Sequence, residues 1–124
     1  MELLEELKTP HLDNSKLTSL LTIKNLPKLC NSIETILSND ISEGVIYCIW
    51  GKHRINRKIL KDGVQFSFQE CPHALAFSIT TKNDGNNILI RCSTDTHIQD
   101  EDFMESIKEF IDSWVTGIKK QLNL

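Results

Sequence analysis

Residues 44–93 read GVIYCIWGKHRINRKILKDGVQFSFQECPHALAFSITTKNDGNNILIRCS, and the fold turns on how this stretch is read. Val64, Phe66 and Phe68 alternate with Gln65, Ser67 and Gln69, the period-two pattern of a strand covered on one face. Leu75, Phe77 and Ile79 repeat the pattern, and Ile88, Ile90 and Cys92 continue it with Leu89 on the outer side. Val45 to Trp50 is apolar on both parities, which suits a strand buried on both faces or one whose second face meets a partner. Asp62-Gly63 and Asn83-Asp84-Gly85-Asn86 are turn signals, because these residues tolerate the positive φ of tight hairpins. Gly51 permits either a turn or a bulge. The expected strands are 44–50, 53–60, 64–69, 74–81 and 87–93. Their short connections favour a single antiparallel meander of four or five strands.

Helical patterns flank this region. Leu3, Leu4 and Leu7 fall on one side of a helical turn that Pro10 would end, and Asn14 or Ser15 could cap a second short helix bearing Leu17, Leu20 and Leu21. Residues 1–24 are therefore expected to form short helical segments. Asn25 as a cap, Pro27 in the first turn and a stripe of Leu26, Leu29, Cys30, Ile33, Ile36 and Leu37 predict a helix over 26–38. At the other end, Phe103, Ile107, Phe110, Ile111, Trp114, Ile118 and Leu122 form a wide apolar stripe. Asp102 with Glu105 makes a variant capping box, and Lys119-Lys120 suits the negative end of the helix dipole. This predicts a C-terminal helix over 101–121 that covers the sheet. The fold class is α+β, as one domain spanning 1–124.

Composition narrows the function classes. A chain of 124 residues, 40% hydrophobic and 25% charged, can bury a self-sufficient core. No apolar run approaches the ~20 residues of a membrane span. Met1 to Glu6 is acidic rather than basic and lacks a long apolar block, so a secretory signal is not expected and a soluble, cytoplasmic protein is. Cys30, Cys48, Cys71 and Cys92 are widely spaced without a C-x-x-C, and are expected to remain thiols, mostly in the core. A net charge of −3 disfavours nucleic acid as a partner.

Two stretches carry candidate chemistry. In Cys71-Pro72-His73, a thiol and an imidazole two residues apart could be a nucleophile with its base, or two ligands of a zinc ion; the simpler reading is a structural turn. Lys52, His53, Arg54, Arg57, Lys58 and Lys61 form a cationic run beside Trp50 that could engage an acidic partner or an anion. The simpler readings are a solvated strand edge, or Arg57 paired with Glu105 or Glu109. His53 and Arg57 share the parity of Ile55 and Ile59, which would place them at the mouth of a sheet–helix cleft suited to a small anionic ligand. The acids at 95–112 match no metal loop, and His11 and His97 have no partner identifiable from sequence.

No nucleotide, hydrolase or metal signature occurs, so no cofactor or metal is expected. The leading expectation is a small binding or protein-interaction domain working through Trp50, His53, Arg54, Arg57 and Lys58. Its partner would be a second copy of the chain, an acidic protein or a small anionic ligand. The alternative is a small thiol-dependent or metal-assisted enzyme centred on Cys71 and His73.

Overall fold

The computed structural model describes residues 1–95 and 98–124. In chain order the elements are β1 (Glu2–Lys8), α1 (Asn14–Leu20), a 3-10 turn (Ile23–Asn25), α2 (Leu26–Leu29), β2 (Ile33–Asn39) and β3 (Glu43–Cys48). They continue through β4 (Gly51–Leu60), β5 (Gly63–Phe68), β6 (Ala76–Lys82), β7 (Asn87–Ser93) and α3 (Glu101–Leu122). Among the described residues, seven strands form one sheet in the order β1-β7-β6-β5-β4-β3-β2. Every neighbouring pair is antiparallel. The meander from β3 to β7 is as the alternation predicts, but β1 and β2 join it, so the sheet has seven strands rather than four or five.

Both additional strands come from segments whose apolar spacing imitates a helix. In β1, Leu3 and Leu7 face inward opposite Cys92 and Ile88. A spacing of four satisfies a helical face and a strand face alike, so the pairing ladder with β7 decides the conformation. The expected helix over 26–38 contracts to a single turn, α2, after which Cys30 takes extended angles (φ −147°, ψ 106°) and β2 begins. Register shifts between Ile33 and Thr35 and between Ile36 and Ser38 interrupt β2. These irregularities put Ile33 and Ile36, three residues apart, opposite the buried Cys48 and Ile46, a spacing that reads as helical in the sequence.

One face of the sheet carries the core. Ile46, Ile55, Val64, Phe66, Phe77, Ile79, Ile88, Ile90 and Cys92 point inward and are fully buried. Leu17 and Leu21 from the α1 region, Leu26 and Leu29 of α2, and Ile107, Phe110, Trp114 and Ile118 of α3 meet them. Each large side chain so buried contributes roughly 1.5–3 kcal/mol. An aromatic column runs through this layer: Phe110 stacks on Phe77 at 4.8 Å, and Trp114 stacks on Phe66 at 5.8 Å. The apolar character of Val45 to Trp50 on both parities has a local cause. Ile46 and Cys48 are buried, Tyr47 lies on the outer face half exposed, and Trp50 belongs to the following turn.

The ends of α3 are built as the dipole argument requires, with the cap displaced. Asp100, not Asp102, is the N-cap, and its Oδ1 accepts from the backbone N–H groups of Asp102 (3.0 Å) and Phe103 (3.2 Å). Asn123 ends the helix in the left-handed conformation (φ 59°). Asp62-Gly63 works differently from its expectation. Gly63 is not at positive φ; a Cβ there would lie 2.0 Å from the Ile79 carbonyl oxygen of β6, so its role is close strand approach.

Candidate functional site

The β3–β4 hairpin closes with Ile49 and Trp50 between the paired residues Cys48 and Gly51. Gly51 has φ +90°, which makes it the left-handed residue of a tight turn rather than a bend within a strand. This geometry swings Trp50 over α3. The indole stacks on Phe110 (4.8 Å, 14°), meets Phe103 at 5.4 Å and Phe68 edge-on at 5.7 Å, and its Nε1 donates to Ser106 Oγ at 2.8 Å. Ser106 in turn donates to the Phe103 carbonyl oxygen at 2.6 Å. The turn is thereby fastened to the first turns of α3.

His53 lies on the inner side of β4, half-buried, with its ring 5.5 Å from that of Phe68 and its Nε2 3.2 Å from the Trp50 carbonyl oxygen. Cys71-Pro72-His73 forms the β5–β6 connection. It is held by a bond from Phe68 N to Leu75 O (2.9 Å), one from Ala74 N to Cys71 O (3.1 Å), and one from Asp95 N to His73 O (3.0 Å). The His73 ring tilts over Phe103 at 5.6 Å. Together these elements line an open pocket of ≈ 320 Å³. Trp50, Phe68, Leu75 and Phe103 supply apolar wall, and His53, Cys71, Pro72, His73 and Asp100 complete the lining. Two stretches read separately in the sequence, the Trp50–His53 hairpin and the Cys71–His73 turn, thus line one pocket.

The remaining cationic residues lie elsewhere. Arg57 is four residues along β4 from His53, and its Nε and Nη2 donate to the carbonyl oxygens of Leu21 (2.7 Å) and Thr18 (2.9 Å). It caps the C-terminal end of α1 instead of pairing with Glu105 or Glu109, and burial lowers its pKa from the ordinary guanidinium value. The expected shared cleft mouth of His53 and Arg57 is therefore not formed. Ile59, the other marker of that side, is 61% exposed because β4 runs past the helical cover there. Arg54 and Lys58 are exposed on the outer face opposite Val45 and Gln65. Arg54 also edges a cleft of ≈ 330 Å³ that Asp40 and Glu43 line with it.

His11 lies on the surface, with Nδ1 2.7 Å from the Asp84 carbonyl oxygen and Nε2 3.3 Å from Asp13 Oδ1, and serves the N-terminal connection. His97 lies outside the described residues. Burial pushes the Cys92 thiol up to about 12 and raises Cys30 and Cys48 as well, which fits core thiols. Among the described residues, no three His, Cys, Asp or Glu side chains are gathered as a metal site, and no helix is long and apolar enough to cross a membrane. Phe103 and Asp100 had no sequence signal linking them to the hairpin turn, since only tertiary packing brings α3's start beside Trp50.

No protein-family model and no curated protein matches the chain. Solved structures do. A START superfamily protein from Mycobacterium smegmatis superposes with a TM-score of 0.67 at 10% identity, covering 98% of this chain and 97% of that one. The AHSA1 protein from Silicibacter pomeroyi gives 0.62 at 10% identity over 99% and 98%. The protein XoxI from Bacillus cereus gives 0.65 at 10% identity over 98% and 94%. The fold is START/AHSA1-like. In this START-like arrangement, one antiparallel sheet holds the C-terminal helix against its inner face, and the pocket opens where the β3–β4 and β5–β6 turns meet the start of that helix.

Proposed function

We propose that the chain is a binding domain that holds one small, largely apolar molecule in the pocket beneath Trp50. The observation that carries this reading is the lining. Aromatic and aliphatic walls from three separate elements line an open pocket of ≈ 320 Å³, and a few polar groups are set among them. Small-molecule sites generally have this composition and lie between packed elements. The START-like fold supports the reading by analogy of architecture alone. The cationic outer face is exposed to solvent and, among the described residues, frames no comparable apolar pocket wall.

Native mass spectrometry of freshly purified protein tests the proposal by looking for a co-purified small molecule. A panel of aromatic fragments titrated by NMR supplies the second test. Cys71→Trp places a large side chain at a half-exposed pocket wall without removing any core group. Saturable binding in the wild type that this variant abolishes is the expected result. Binding that survives Cys71→Trp, or none at all, would overturn the reading.

A second reading is favoured by one observation, that Cys71 and His73 line the same pocket. It makes the protein a small thiol-dependent or metal-assisted enzyme. Under it, Cys71 alkylates much faster than a free thiol at neutral pH, or the purified protein holds stoichiometric metal that Cys71→Ser loses. An ordinary alkylation rate with no metal present would remove it.

A further inference from the structure

We infer that the pocket selects ligands that donate a hydrogen bond, and that His53 Nδ1 is the acceptor that reads them; this rests on the pocket being the binding site proposed above. The N–H groups that could have served a ligand here are largely committed. Trp50 Nε1 donates to Ser106 Oγ at 2.8 Å. His53 Nε2 lies 3.2 Å from the Trp50 carbonyl oxygen, and a carbonyl oxygen only accepts. In the neutral ring the proton therefore sits on Nε2, and Nδ1 keeps its lone pair. Asp100 contributes another acceptor, because its Oδ1 is held by the N–H groups of Asp102 and Phe103 and its second oxygen is left over. Cys71 adds only a weak donor, and His73 lies tilted 33° over Phe103.

Lone pairs and aromatic faces thus dominate this lining. Asp100 is exposed, so water serves its second oxygen. His53 is half-buried against Phe68, so a donating ligand would replace water at Nδ1 in a partly apolar setting. The class that fits is a planar aromatic bearing a neutral N–H or O–H, such as an indole or a phenol. A carboxylate would bring lone pairs against lone pairs. This reverses the anionic ligand that the cationic run suggests, because Arg57, the charge that would have held it, is bound to α1.

Indole and 1-methylindole are nearly isosteric and differ in the one N–H. Titration of the full chain by ¹H–¹⁵N NMR at about pH 8 is the test. Indole is expected to bind roughly tenfold more tightly, the usual scale of one hydrogen bond to a half-buried acceptor. His53→Phe keeps a ring against Phe68 and should shrink the preference to within about twofold, while Asp100→Asn should leave it. Independently of any variant, the His53 Nδ1 resonance should move with indole and stay with 1-methylindole. Equal affinity of the two ligands, an unmoved Nδ1 signal, or a preference that Asp100→Asn abolishes would overturn the inference and leave the pocket standing. No saturable binding of either ligand would overturn the pocket reading itself.

Discussion

Ala74 holds a left-handed backbone (φ 50°) in the turn that carries Cys71 and His73. A Cβ in that region costs about 1–2 kcal/mol, partly offset by the extra freedom glycine has when unfolded. Ala74→Gly should therefore stabilise the protein by about 0.5–1 kcal/mol, read as a higher melting temperature. The four thiols also separate at this scale. Cys30, Cys48 and Cys92 are buried with raised pKa values, and Cys71 alone is partly open. A thiol reagent applied to the native protein at mild pH should modify one cysteine quickly, and Cys71→Ser should remove that fast phase. Much of this was legible beforehand. Cys30 and Cys92 fell on apolar stripes, and Cys71 fell in a break. That Cys71 lines one pocket with Trp50 was not, because residues twenty-one apart come to one site only through two hairpins and α3.

Among the elements, the union of α1 with β4 rests on Arg57. Replacing it with methionine keeps the apolar stem but leaves the Leu21 and Thr18 carbonyl oxygens without their charged donor. Arg57→Met should cost about 1–2 kcal/mol, whereas Arg54→Met and Lys58→Met on the exposed outer face should stay within about 0.5 kcal/mol. Chemical denaturation of the three variants decides between a structural and a surface role. A tighter constraint lies at Gly117, where a Cβ would come within 2.0 Å of the Leu29 carbonyl oxygen. Gly117→Ala should destabilise by about 2–4 kcal/mol, since neither helix backbone can yield cheaply. Nothing in the sequence marks Gly117 as special, because it sits inside a strong helical stripe. The same limit applies to β1 and β2. Leucine at spacing four and isoleucine at spacing three satisfy a helix locally, and the choice of strand is made by ladders with β7 and β3.

Taken whole, the molecule keeps neutral thiols in its core, and this has a consequence for stability. Buried Cys92 holds its proton up to about 12, whereas in the unfolded chain it ionises near the ordinary thiol value of 9.0. A raised folded pKa gives stability that is complete below the unfolded value and is lost as pH rises toward the folded one. Melting temperature should therefore fall between about pH 9 and 12, and Cys92→Ala should make that decline shallower even though its own stability at neutral pH is lower. By itself, the sequence determined what is periodic and local: the strands from β3 to β7, their turns, the C-terminal helix and the identity of most core residues. Each of these is written in neighbours a few positions apart, where alternation or helical spacing leaves one conformation that buries the apolar side. The tertiary structure decided the two edge strands, the burial of Arg57 against α1, and the meeting of Trp50, His53, Cys71 and Phe103 around one pocket. Those depend on hydrogen bonds and contacts between distant segments, whose energies no local pattern records.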